Sequence, residues 1–527
     1  MGKKMTPPDR ASRQFKAVPT TALGLEGRRS APPNGLLCRF SVPLLLRPLN
    51  ARYDHALAFD PSITQRVHSR VSQRLCKVPV SKRSAVLNTK TVQQKRSDAL
   101  LQSAQPNVLL SATEVAQMNL RMWVMVLLTG VGAGLTSGFL MRLLRLVQHL
   151  SFSYSTGDFL SGVRNTSGAH RFVVVSLGGV VAGLSLYLLR LITGGSGSDV
   201  TGAIWYKQGR FEAAPTIAKS IISIIIVGMG AAIGREAALK DMGATVGGKI
   251  SDWTSLSPEQ RHLLVACGAG AGMAAAYNVP LGGALFAIEV LLGTMSLTNV
   301  VAAVMASFVA VAVSWLLLPN VPTFNVAQLA ITPSLLLWAA VAGPILGAAS
   351  AVYVRFIGWA ESGKPKAYMV VVAPILVFIG LGILSMRFPE ILGNGKNVVQ
   401  EAFGSQLGTG LLCWLLILRP LATALCLKSG SPGGLFAPTM TFGALLGGLL
   451  GEGWSHLAPA TSKDSYAIVG AGAMLASASQ GPLSSVVFML ELTNHTDTLI
   501  VPLLIAVTGA TLMARRLEVH SIYSIPT

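Results

Sequence analysis

The residues best suited to chemistry in this chain sit where apolar runs are broken. Three breaks are rich in glycine: Thr193-Gly-Gly-Ser-Gly-Ser198, Ile233-Gly-Arg-Glu-Ala237 and Ser429-Gly-Ser-Pro-Gly-Gly-Leu-Phe436. A helix that starts at such a break presents unsatisfied N–H groups and roughly half a positive charge. Several such ends aimed at one point hold an anion without a full counter-charge. Glycine permits the tight backbone needed there, and serine adds a hydroxyl donor. A cation site would instead call for carboxylates and exposed carbonyls. Any one of these breaks also reads as a plain loop or a close helix contact. Three of them in apolar surroundings point to a dehydrated anion site.

The elements that must carry these breaks are membrane helices. Of 527 residues, 12% are charged, about half the usual ~25%. Hydrophobic residues make up 51%, and glycine contributes 54 positions. That composition excludes a disordered chain, a coiled coil and an ordinary soluble enzyme. It fits a polytopic membrane protein whose small residues let helices approach closely. Long apolar runs include Met122–Leu150, Phe172–Ile192, Val300–Leu318, Leu335–Ile357 and Met369–Met386. Others, such as Leu281–Leu292 and Val486–Leu492, are too short to cross alone. Broken helices are tolerated in a membrane only inside protein or beside a water-filled cavity.

The charge is concentrated at the front. Residues 1–100 hold 19 Lys/Arg and 5 Asp/Glu, of a net +20 for the whole chain. Residues 1–115 therefore read as a basic tail, either a disordered cytoplasmic extension lying against anionic lipid or a transit peptide. No nucleic-acid-binding fold accompanies the charge, so no nucleic-acid partner is expected. The five cysteines, Cys38, Cys76, Cys267, Cys413 and Cys426, show no metal spacing, and they read as buried thiols.

Beyond the tail the chain divides into halves, 116–320 and 321–527. The stretches Ala274–Glu289 (AAAYNVPLGGALFAIE) and Ala476–Glu491 (ASASQGPLSSVVFMLE) share small residues, a Pro-Leu step, two more small residues and a final glutamate. Broken helices at matching places in two halves point to a midplane binding site.

From about Leu120 to Thr527 the chain resembles the CLC family of chloride channels and proton/chloride exchangers. Gly195-Ser196-Gly197, Gly234-Arg235-Glu236 and Gly433-Gly434-Leu435-Phe436-Ala437-Pro438 are similar to its three signatures, in order. Ser521-Ile522-Tyr523-Ser524 resembles its closing segment, and Ala276–Gly283 and Ile391–Gly395 are also similar. The resemblance implies an all-α fold with an inverted repeat of broken, tilted helices, assembled as a homodimer in a lipid bilayer. It implies chloride as the transported ion, no cofactor and no metal.

By the same resemblance Ser196, Gly197, Leu435, Phe436 and Tyr523 bind chloride, and Glu236 is the gate. A carboxylate at a helix N-terminus can occupy an anion's place, and protonating it releases the place. Arg235 attracts anions at the entrance, while Lys219 and Glu289 support the path. Lys219 alternatively reads as a snorkelling side chain, and Glu289 and Glu491 as packing or dimer residues. Two departures stand out: Ser198-Asp-Val200 replaces the usual Ile-Pro-Glu, and Ala237-Ala238 replaces Gly-Pro. Val290 occupies the position where exchangers carry a proton-relaying glutamate. Valine holds no proton, so channel-like or weakly coupled chloride movement is expected, with proton-coupled antiport as the alternative.

A transporter of another small anion keeps the same physics. A membrane enzyme finds no support, since no HExxH, Cys/His cluster or GxSxG with a histidine partner occurs. The chain ends four residues after Tyr523, where eukaryotic members continue into CBS domains. A bacterial-type member in the inner membrane is expected, or an organelle member if the tail is a transit peptide.

Overall fold

The computed structural model describes residues 119–193, 199–326, 331–458, 463–494 and 496–524. The basic tail, Ser196 and Gly197 lie outside the described residues.

Among the described residues the fold is all-helical, with 17 α-helices and no strand. In chain order these are α1 Leu120–Phe152, α2 Phe159–Asn165, α3 Gly168–Thr193, α4 Val200–Lys207, α5 Ala213–Gly228, α6 Glu236–Thr254, α7 Pro258–Tyr277, α8 Pro280–Leu285, α9 Leu297–Ser314, α10 Pro333–Glu361, α11 Met369–Arg387, α12 Lys396–Phe403, α13 Thr409–Lys428, α14 Phe436–Ser455, α15 Lys463–Ser479, α16 Pro482–Thr493 and α17 Thr496–Arg516. A π-helical turn, Phe286–Leu292, extends α8.

Local sequence sets the helix ends. Ser257 and Gln260 form a reciprocal capping box at the start of α7, with Pro258 in the first turn. At its other end Asn278 adopts a left-handed φ of 58° and Pro280 opens α8. Gln480, also at φ 58°, and Pro482 repeat this arrangement between α15 and α16.

Among the described residues seven helices are long and apolar enough to span a bilayer: α1, α3, α9, α10, α11, α13 and α17. The apolar stripe of α3 shows how they meet lipid. Val173, Leu177, Leu184, Leu188 and Leu191 are exposed, while Val174, Gly178, Ala182 and Leu189 are buried. With tails outside as apolar as the core, small residues rather than hydrophobicity bring helices together. Gly443 and Gly447 on α14 meet Gly470 on α15. A Cβ at Gly443 would lie 2.7 Å from the Gly470 carbonyl oxygen. Gly243 on α6 meets Gly268 and Gly272 on α7 in the same way. Cys267 and Cys426 are buried as expected, but Cys413 is exposed on α13, because an apolar run also has a lipid-facing side.

Candidate anion site

Two of the glycine-rich breaks meet. Gly234 N donates to Gly434 O at 2.8 Å, and Gly434 N donates to Gly234 O at 2.7 Å. These reciprocal bonds hold together the loops that start α6 and α14, so that both helices begin beside one point. Neither glycine has room for a side chain. A Cβ at Gly434 would lie 2.7 Å from the Glu236 carboxyl carbon. The loop before Glu236 is fixed from behind as well. Gly393 N donates to Gly230 O at 3.0 Å, and the Thr423 hydroxyl donates to Ala232 O at 2.7 Å. The Gly393 loop is itself pinned by Arg419, a buried guanidinium on α13. It donates to the carbonyls of Glu390, Leu392 and Gly393 at 2.8–3.2 Å. The stretch Ile391–Gly395 is thus scaffolding for the Glu236 loop.

Glu236 is buried at 3% exposure. Its Oε1 accepts from Ala437 N at 2.9 Å, inside the first turn of α14. Its Oε2 accepts from the Tyr277 hydroxyl at 3.3 Å. The side chain that begins one broken helix therefore occupies the positive end of the other, where a free anion would bind. The Arg235 guanidinium lies over the Tyr277 ring, 5.1 Å from its centroid.

Phe436 is buried beside Glu236, with ring centroids 5.8 Å from Tyr277 and 4.9 Å from Phe488. Leu435 is partly buried in the loop before it. Tyr523 stands farther along, its ring 5.4 Å from Phe286, which is 6.5 Å from Phe488. One aromatic row, Tyr277–Phe436–Phe488–Phe286–Tyr523, thus joins Glu236 to Tyr523. The fold brings Glu236, Arg235, Leu435, Phe436 and Tyr523 into one region.

The remaining candidates sit elsewhere. Lys219, partly buried on α5, is among the charges of Asp199, Asp241, Glu361 and Lys364 rather than at Glu236. Glu289 accepts from Leu483 N at 3.1 Å and Ser484 N at 2.7 Å, capping α16. Glu491 accepts from Leu281 N at 3.0 Å and Gly282 N at 2.7 Å, capping α8. Each repeat therefore closes the other's helix start. Replacing Glu491 with leucine is expected to lower stability by about 1–2 kcal/mol, the usual worth of a charged helix cap. Thermal unfolding in detergent checks it, with an unchanged midpoint as the adverse result. Val290 is buried in the π-helical turn among apolar neighbours.

Two groups at the site escape a reading of signatures. Tyr277 closes α7 with the phenol that holds Glu236, while its counterpart in the second repeat is Ser479. Lys240 and Asp241 are buried in the second turn of α6. The signal for them was present, since ionisable residues inside an apolar segment are costly and rarely idle. Among the described residues no cluster of His, Cys, Asp or Glu could hold a metal.

A family model described as voltage gated chloride channel matches residues 178–515. A ClcB-like protein of Ralstonia nicotianae is 32% identical over 355 residues, 64% of this chain and 81% of that protein. An H(+)/Cl(-) exchange transporter, ClcA, of Klebsiella pneumoniae is 32% identical over 311 residues, 56% of this chain and 65% of that protein. A slow cyanobacterial Cl-/H+ antiporter of known structure matches with a TM-score of 0.69 at 21% identity, over 78% of this chain and 97% of that one. A CLC-type fluoride/proton antiporter matches at 0.61 and 18% identity, over 77% and 97%. At such identities the structural likeness speaks for the fold alone.

Proposed function

This chain belongs to the CLC family of voltage-gated chloride channels, and from that premise we propose that it exchanges chloride for protons across a membrane. The observation that carries the reading is the Glu236 carboxylate seated on the Ala437 amide, a competitor in an anion's place. Protonating Glu236 removes its charge and its claim on that amide. Chloride then takes the helix end, and a deprotonated Glu236 must displace it to return. One residue thereby ties proton movement to chloride movement.

The ClcA relatives are named H(+)/Cl(-) exchange transporters, which favours antiport over the channel-like reading drawn from Val290, while the ClcB-like relative is named a chloride channel protein. Valine at that position leaves proton delivery to other groups or to water. Ser196 and Gly197 complete the anion contacts in this reading, with Leu435, Phe436 and Tyr523. The protein is multi-pass, and a homodimer in a bacterial inner membrane fits the family best. An organelle membrane is the setting if the tail is a transit peptide.

Purified protein in liposomes tests the proposal. An outward chloride gradient is expected to drive protons inward against their own gradient. Rapid chloride loss with no proton movement would sink antiport and restore the channel-like reading.

The Tyr277 hydroxyl holds Glu236 in place, so Tyr277→Phe is expected to ease its release. Losing one hydrogen bond of about 1 kcal/mol gives a roughly fivefold change. Chloride turnover rises by that factor, with coupling to protons retained. Stopped-flow or electrode-based flux reads both, and slower turnover would argue against a holding role.

A further inference from the structure

The geometry points to Lys240 as an anion-contacting residue of the transport path, forming with Tyr523 and Thr201 a subsite for a small monovalent anion. This rests on the reading of the Glu236 region as the anion route. Lys240 follows Glu236 by four residues on α6, so the two side chains share one helix face, about 6 Å apart along the axis. The ammonium is buried at 7% exposure. Its Nζ donates to the Thr201 hydroxyl oxygen at 2.5 Å, in the first turn of α4. It also lies 5.9 Å from the centroid of the Tyr523 ring. The residue thus touches the two places that flank the gate: the start of α4, just past the 195–197 signature, and the closing tyrosine.

The charge on Lys240 is incompletely answered. The nearest carboxylate oxygen, Oδ1 of its neighbour Asp241, is 3.6 Å away, beyond hydrogen-bond range. Among the described residues that buried oxygen receives no hydrogen bond, and Lys240 answers it by charge alone. The other charges acting on Asp241 are Lys219 and Asp199, and Asp199 already accepts from Thr201 N and Gly202 N as the cap of α4. An ammonium has three donors. One goes to Thr201, and among the described residues the only carboxylate paired with the ammonium is that of Asp241, at a long 3.6 Å. A buried cation left so is a strong attractor for an anion of matching size, because the low dielectric magnifies the attraction. The path thereby gains a full positive charge where helix ends and hydroxyls alone supply partial ones. Asp241, 3.6 Å from the cation, competes with the anion and sets how tightly the subsite holds.

The alternative is a purely structural cation that ties α6 to α4 through its hydrogen bond to Thr201, with Asp241 as its counter-charge. Opposite responses of the two residues separate the possibilities. Chloride binding to the purified full chain is measured by isothermal titration calorimetry. Lys240→Met is expected to weaken chloride at least tenfold. Asp241→Asn, which removes the competing charge, is expected to tighten it several-fold. Where Lys240→Met does not yield folded protein, Lys240→Gln serves, since its amide can still donate to Thr201 and only the charge is lost. Affinities within twofold of the parent, or two variants that both weaken binding and lower the unfolding temperature, would overturn the assignment. A parent protein that neither binds nor transports chloride would instead overturn the anion route itself.

Discussion

Chloride flux through a Glu236→Ala variant is expected to lose all coupled proton movement, at least a hundredfold below the parent, while chloride itself still crosses. The cause is local. In the proposed exchange, the carboxylate seated on the Ala437 amide both carries a proton and competes with the anion. Alanine vacates the amide permanently and offers nothing to protonate. The pH response follows with a definite sign. In the parent, lowering pH is expected to protonate Glu236 and remove a negative competitor, so chloride turnover should rise as pH falls. In the variant the profile is flat through the same range. Parallel chloride and proton electrodes on one liposome preparation supply the measurement. A variant that still pumps protons would place the coupling group elsewhere.

The second large effect concerns a residue that touches no anion. Arg419 is 3% exposed and satisfies the carbonyls of three residues within one four-residue stretch, Glu390, Leu392 and Gly393. Leucine in its place leaves those oxygens without their donor in a dry interior, at a cost on the order of 3–5 kcal/mol. The damage travels, because Gly393 holds Gly230 and hence the loop that aims Glu236. Arg419→Leu is therefore expected to lose thermal stability and coupled transport together. Melting of the purified protein in detergent checks the first and liposome flux the second. A folded, fully active Arg419→Leu would show that the Gly393 loop is not needed to hold the gate.

Much of this architecture was legible in the residues. The runs Met122–Leu150 and Phe172–Ile192 became α1 and α3 nearly to their ends, because long apolar stretches have few alternatives in lipid. The breaks at Glu236 and Phe436 are helix starts, as glycine and the following small residues suggest. What stayed hidden was pairing across the chain. No spacing rule reveals that Gly234 and Gly434 exchange hydrogen bonds 200 positions apart. The same holds for Glu289 and Glu491, whose repetition was visible but whose partners were not. Tyr277 was hidden for another reason. An aromatic at a helix end commonly sits at a membrane interface, and only the packing of α7 against the α14 start turns its hydroxyl toward Glu236. Cys413 misled because hydropathy does not tell which side of a spanning helix faces lipid.

The crossed glutamates bear on how such a molecule could arise. Glu289 caps the start of α16 and Glu491 the start of α8, so neither repeat supplies the carboxylate its own segment needs. Two copies of a single half-length ancestor, facing each other about a twofold axis, would have met the same need with one glutamate apiece. Duplication and fusion of that gene would leave the exchange intact while freeing the two copies to diverge elsewhere, as Tyr277 and Ser479 have done.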